Sequence, residues 1–227
     1  MTKATQPLVI GLLGGVGSGK STVARLFHAM GAEVFEADRV ASDLLEDGEV
    51  RARLTAAFGK DILAADGQVD RARLAQLVFT SAPARETVNA IIHPRVIAEL
   101  TRWLAARTAP AALRPLVLDV PLLLETPLRD LPQVMVFVDA PEAARRARVM
   151  QDRGWSTGEL ERRERAQASL EDKRGRADHV LHNDGSLVDL ERQVRALWRT
   201  LLARGEDAGR DGGSGEPQSS GDCSDDR

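Results

Sequence analysis

Residues 8–22, LVIGLLGGVGSGKST, constrain this chain more than any other stretch. Leu8 to Leu13 is an unbroken apolar run, which predicts a buried strand. Gly14, Gly19, Lys20 and Ser21 follow at once and match the phosphate-loop pattern G-x-x-x-x-G-K-S/T. After Ser21 the apolar residues Val23, Ala24, Leu26 and Phe27 recur at helical spacing. The motif therefore sits in the strand–loop–helix context that its chemistry requires. Glycines let backbone N–H groups approach phosphate oxygens, and the helix N-terminus adds partial positive charge. Lys20 supplies a compact cation for the β- and γ-phosphates, and Ser21 a hydroxyl for Mg²⁺. Lysine is rare in this chain and arginine abundant, so Lys20 is not background composition.

Downstream, Gly31 reads as a helix C-cap and residues 32–37 (AEVFEA) as a short second strand ending at Asp38. Ligands of parallel α/β sheets bind at the carboxyl ends of the strands, which places Asp38 near a transferred phosphate. Capping of the next helix is an equally compatible role for it. Residues 39–107 carry helical patterns and no convincing strand, too long for a simple crossover, and predict an inserted helical lobe for a second substrate. Pro83 and Pro94 are expected in first turns, so that His93-Pro94 separates two helices. A histidine there is more often structural than ligand-bearing. Residues 115–120 (PLVLDV) read as a strand delivering Asp119, an acid placed to help hold Mg²⁺ through water.

Residues 133–139 (QVMVFVD) predict the next strand, with Pro141 opening a helix. Residues 141–176 hold nine arginines, among them Arg145, Arg146, Arg148 and Arg163, against seven acids. A solvated, salt-bridged helix pair and a mobile lid carrying cations over phosphates both fit this composition. Residues 177–182 (ADHVLH) read as the last strand. Ser186 with Asp189 forms a capping box for an amphipathic helix bearing Leu187, Leu190, Val194, Leu197 and Leu201, and Ser156 with Glu159 forms another in the arginine-rich stretch.

The formal net charge is −3, but residues 205–227 carry seven acids and two arginines, leaving the rest of the chain at about +2. A mildly basic body suits an anionic small substrate and argues against general nucleic-acid binding. The tail from about residue 204 has no apolar periodicity and is expected to be disordered. Cys223 is the one cysteine, so no disulfide framework is expected. With no apolar run long enough to span a membrane and no signal peptide expected, the chain is expected to be cytoplasmic.

Several motifs in one order resemble the dephospho-CoA kinase family: GLLGGVGSGKST at 11–22, EAD at 36–38, RLAQLVF at 73–79, NAIIHPRV at 89–96, DVPLLLE at 119–125, VDAP at 138–141, Arg163 four before Gln167, and ADHVLHNDGS at 177–186. The resemblance covers about residues 8–203. It implies a three-layer α/β/α P-loop kinase with a five-stranded parallel sheet, divided into a core (8–38, 114–140 and 177–203), a helical CoA-binding lobe (about 39–107) and a helical lid (about 141–176). It implies transfer of the γ-phosphoryl of ATP to the ribose 3′-hydroxyl of dephospho-CoA, giving coenzyme A, with Mg²⁺ as cofactor. Carried over by position, Gly14, Gly15, Gly17, Ser18, Gly19, Lys20, Ser21 and Thr22 would hold the triphosphate, joined by Arg146, Arg163 and Asn183. Lys20 and Asp38 would be catalytic. Asp38, Arg39, His93, Leu123 and Glu125 would face the acceptor, and Ser21 and Asp119 the metal. Two positions depart from the family's pattern: Glu36 stands where Asp is usual, and Arg145 where glutamine is common. The alternatives are a P-loop kinase for another small hydroxyl substrate, such as a nucleoside or sugar acid, and a GTP-binding switch. No Asn-Lys-x-Asp tetrapeptide for a guanine base is present.

Overall fold

The structure, a computed structural model, describes residues 6–107, 114–154, 157–165 and 167–210. Strand β1 (Val9–Gly14) is buried at all six positions, so both of its faces are covered. It lies at the centre of a five-stranded sheet with β2 (Glu33–Glu36), β3 (Leu116–Asp119), β4 (Val134–Asp139) and β5 (His179–His182), in the order β2-β3-β1-β4-β5. Every pairing is parallel, as the sequence predicts.

The helices are α1 (Lys20–Ala29), α2 (Ala37–Asp43), α3 (Gly48–Phe58), α4 (Arg71–Thr80) and α5 (Ala82–Ala105), followed after β4 by α6 (Glu142–Arg153), α7 (Thr157–Arg165) and α8 (Leu170–Gly175), and after β5 by α9 (Leu187–Arg210). Strand alternation divides the core between the two faces of the sheet. Ile10, Leu12, Val136 and Val138 pack with Val23 and Phe27 of α1 and with Leu190, Val194 and Leu201 of α9. Val9, Leu13, Leu118 and Phe137 pack on the other side with Leu100 of α5, Leu123 and Leu128. A third cluster, with Val50, Leu54, Leu74, Val88, Ile91 and Ile92, belongs to the helices between β2 and β3.

Three local expectations are corrected. Asp38 is not at a strand terminus or a cap: Glu36 is the N-cap of α2 and Asp38 lies in its first turn, where an acid complements the helix dipole. Pro94 does not separate two helices. It sits inside the 24-residue α5, while Pro83 occupies the first turn as predicted. One helix persists because it buries two seams in succession, Ile91 and Ile92 in the third cluster and Leu100 against the sheet. Those contacts outweigh the backbone hydrogen bond that proline cannot donate. Finally, α9 continues to Arg210, past the expected tail boundary near residue 204. Its alanine, arginine and glutamate content is helix-favouring, and Gly205 and Gly209 do not stop it. Residues 211–227, including Cys223, and the capping residue Ser156 lie outside the described residues.

Candidate active site

Parallel pairing brings all five strand carboxyl ends to one edge. Glu36 pairs in register with Asp119, Gly14 with Val138, and Asp139 with His182. The phosphate loop leaves β1 at this edge and enters α1 through Gly19, whose φ of +97° lies in the left-handed region. No acidic side chain occupies the first turn of α1, and no side chain caps it. Its positive end therefore stays available to an anion. Lys20 folds back along the loop, its Nζ donating to the carbonyls of Gly14 at 3.1 Å and Gly15 at 3.0 Å. Ser21 is exposed on the first turn of α1. The Thr22 hydroxyl accepts from Arg25 Nη2 at 3.2 Å.

The loop is braced from behind. Asn183, 8% exposed just after β5, donates through Nδ2 to the carbonyl of Ser18 at 2.7 Å. Arg148 of α6 donates to the carbonyls of Gly17 at 3.2 Å and Asn183 at 3.0 Å. Arg145, 5% exposed, donates to the carbonyl of Val16 at 3.3 Å and pairs with Glu164 of α7. The sequence marked Arg145 only as a departure from the family's pattern and did not separate Arg148 from the other arginines. The available signal was spacing: both share a helix face with the buried Val149.

Other predicted positions fall as follows. Asp38 and Arg39 are exposed on α2, and Asp119 ends β3 beside Glu36. Arg146, on a different face of α6, pairs with Glu142 at 3.0 Å and Glu161 at 3.8 Å, and Arg163 pairs with the buried Glu159 at 2.7 Å. His93 is exposed on α5, yet the protein packed around its ring holds its pKa below the ordinary imidazole value. Leu123 is corrected: at 1% exposure its side chain belongs to the core beneath the sheet and cannot face an acceptor. Its 3₁₀ turn folds inward because Val120, Leu123 and Leu128 are drawn into the same cluster. Glu125, exposed, accepts through Oε1 from the backbone N–H of Ala168, tying this segment to the turn before α8.

A cavity of about 490 Å³ lies between the loop and helices α7 and α8. Its lining includes Gly15, Glu164, Gln167 and Lys173. Lys173 is 2% exposed and its Nζ donates to Gln167 Oε1 at 2.6 Å. Burial lowers its pKa from the ordinary lysine value, while Glu125 and Glu164 act in the opposite direction. On the far side of the same segment, the Arg162 guanidinium lies 4.7 Å from the ring centroid of Phe79 at the end of α4. Arg162 Nη1 also donates to the Phe79 carbonyl at 3.4 Å. Helices α6–α8 thus span from the phosphate loop to the unit built by α2–α5.

This constellation is a phosphate cradle with an adjoining cavity and an exposed carboxylate at the sheet's carboxyl edge. The profile of the dephospho-CoA kinase family matches residues 8–189. The chain belongs to the dephospho-CoA kinase family. It is 46% identical over 199 residues to the dephospho-CoA kinase of Methylococcus capsulatus, covering 86% of this chain and 98% of that protein. It is 40% identical over 198 residues to the dephospho-CoA kinase of Thermobifida fusca, covering 87% and 98%. Among solved structures, a Thermus thermophilus protein aligns with a TM-score of 0.67 at 38% identity, over 86% of this chain and 98% of that one. The dephospho-CoA kinase of Campylobacter jejuni has the same fold, with a TM-score of 0.62 at 20% identity over 85% and 96%.

Proposed function

We propose that this protein transfers the γ-phosphoryl group of ATP to the 3′-hydroxyl of the ribose of dephospho-CoA, giving coenzyme A, the last step of coenzyme A biosynthesis. The observation that carries the reading is the phosphate loop built at the sheet's carboxyl edge, in a chain of this family. Phosphoryl transfer asks little covalent chemistry of a protein and depends on positioning and charge. The loop backbone from Gly14 to Gly19 and the N-terminus of α1 bind the phosphates. Lys20, now on the carbonyls of Gly14 and Gly15, turns to the β- and γ-phosphates and offsets charge on the bridging oxygen. Asp38 accepts or orients the proton of the attacking hydroxyl. Arg39, His93 and Glu125 serve the acceptor side, with Leu123 supporting them from the core. Asn183 lies on the adenine side of the loop. Arg146 and Arg163 reach phosphate after leaving their glutamate partners.

Mg²⁺ fits the donor set. It is a hard cation that takes one or two protein oxygens and completes its shell with phosphate and water. Among the described residues no group of three or more metal-ligating side chains forms a cage. Ser21 and Asp119 provide hard oxygen donors of that kind. Bound there with ATP, the ion would neutralise charge on the β- and γ-phosphate oxygens.

No described helix is long and apolar enough to cross a membrane, and a cytoplasmic location completes the proposal. The test is ATP consumption with dephospho-CoA as acceptor, with the product identified by mass. Coenzyme A is the expected product. Turnover of a nucleoside or sugar acid with none of dephospho-CoA overturns the reading.

A further inference from the structure

Arg145 is an unusual place to leave a cation. It is 5% exposed, and a Cβ built on Gly15 would lie 2.7 Å from its Nη1. The guanidinium thus rests directly on the phosphate loop. Its one carboxylate partner, among the described residues, is Glu164 of α7. Its Nε is buried with no hydrogen-bond partner among the described residues. A buried donor without a partner costs free energy, and a guanidinium is built to accept an anion through more than one N–H. Glu164 lines the same cavity as Gly15 and Lys173. Its carboxylate is therefore the anion paired with this loop-facing cation.

We propose that Glu164 holds the anion position on Arg145 that a nucleotide phosphate takes over, so that phosphate binding exchanges the partners of Arg145 and frees α7. This rests on the reading that a triphosphate occupies the loop. ATP brings several negative charges to a loop beside Arg145, and a polyphosphate outcompetes one carboxylate for a bidentate cation. Among the described residues, the one buried apolar side chain of α7 is Leu160, and the Arg146–Glu161 pair that joins it to α6 is 3.8 Å long, partly exposed and individually weak. Losing the Arg145–Glu164 pair therefore releases the helix that also touches Phe79 at the end of α4. Loop occupancy is transmitted in this way to the α2–α5 unit.

The experiment measures binding of a non-hydrolysable ATP analogue and hydrogen exchange of α7 in the full chain. Glu164→Gln should tighten binding roughly tenfold, the equivalent of about 1.4 kcal/mol, because the competing charge is gone. Arg145→Gln should weaken it, Arg145→Lys should weaken it less, and adding Glu164→Gln to Arg145→Gln should change nothing further. In the wild type the analogue should speed exchange in α7, and in Glu164→Gln exchange should already be fast without nucleotide. Unchanged binding by Glu164→Gln, or equal tightening with and without Arg145, overturns the exchange. A wild type that forms coenzyme A while α7 stays silent to the analogue defeats this inference and leaves the proposed function standing. A wild type that does not bind the analogue defeats both.

Discussion

Asp38 is the residue proposed to accept or orient the hydroxyl proton, and its position leaves the carboxylate accessible. It is exposed, in the first turn of α2. A carboxylate is a weak base, which suffices when the proton leaves late, as in a loose transition state. Asp38→Asn is expected to lower kcat by at least ~100-fold, the usual contribution of a positioned base. Nucleotide affinity should stay within about twofold of wild type, since charge at this position does not build the phosphate cradle. Steady-state kinetics with a parallel nucleotide titration checks both. Gly19 fails differently. Its φ of +97° strains any L side chain, and a Cβ would run into the Asn183 amide that braces Ser18. Gly19→Ala should lose nucleotide binding and about 1–3 kcal/mol of stability, read from a lowered Tm.

Among the elements, α5 shows how packing overrides a local signal. Pro94 cannot donate to the carbonyl of Ala90, yet the helix runs through because residues on both sides are committed to separate clusters. Pro94→Ala should restore that bond and raise the urea midpoint, by at most ~3 kcal/mol of stability. No gain would mean that the Ala90 carbonyl is already satisfied. The contrast between α9 and the α6–α8 segment is also one of attachment. α9 buries Leu190, Val194, Leu197 and Leu201 against the sheet, at about 1.5–3 kcal/mol for each side chain. Helix α7 buries Glu159 and Leu160, and its Arg165–Glu161 pair, exposed at both ends, is worth about 0–1 kcal/mol. Motion during turnover is expected in α6–α8 and not in α9. The sequence held the composition of that segment but not its inward face. Neighbouring arginines differ only in angular position, so Arg146 points to Glu142 and Glu161 while Arg145 and Arg148 hold the loop.

For the molecule as a whole, the titrating groups predict two steps of acid sensitivity. His93 has its folded pKa lowered by desolvation from an ordinary 6.5. The unfolded chain therefore binds a proton first as pH falls, and stability declines below pH 6.5 toward the folded pKa. Asp47 is lowered from 3.8 chiefly by the Val50 N–H that it accepts as the N-cap of α3. Asp189 is lowered chiefly by the Ser186 hydroxyl of the capping box. Their contribution is present above 3.8 and lost as pH falls through the folded values. Tm measured against pH should fall in both windows, and His93→Gln should remove the upper one alone.

Much of this protein was determined by its sequence because the decisive signals are local. An apolar run, spaced glycines and a lysine specify strand, loop and helix within fifteen residues, since each acts on the backbone where it stands. Parallel α/β class, Asp119 at the end of its strand and the family follow from the same kind of reading. What the tertiary structure decided involves partners far apart in the chain. Leu123 belongs to the core because it lies against Gly11 of the central strand, in the cluster that also holds Met135, and Asn183 braces Ser18 across 165 positions. Glu125 is joined to Ala168, and Arg145 is divided between the phosphate loop and Glu164. A side chain's type sets what it can bind, but its partner is chosen by whatever the fold brings within about 3 Å of it.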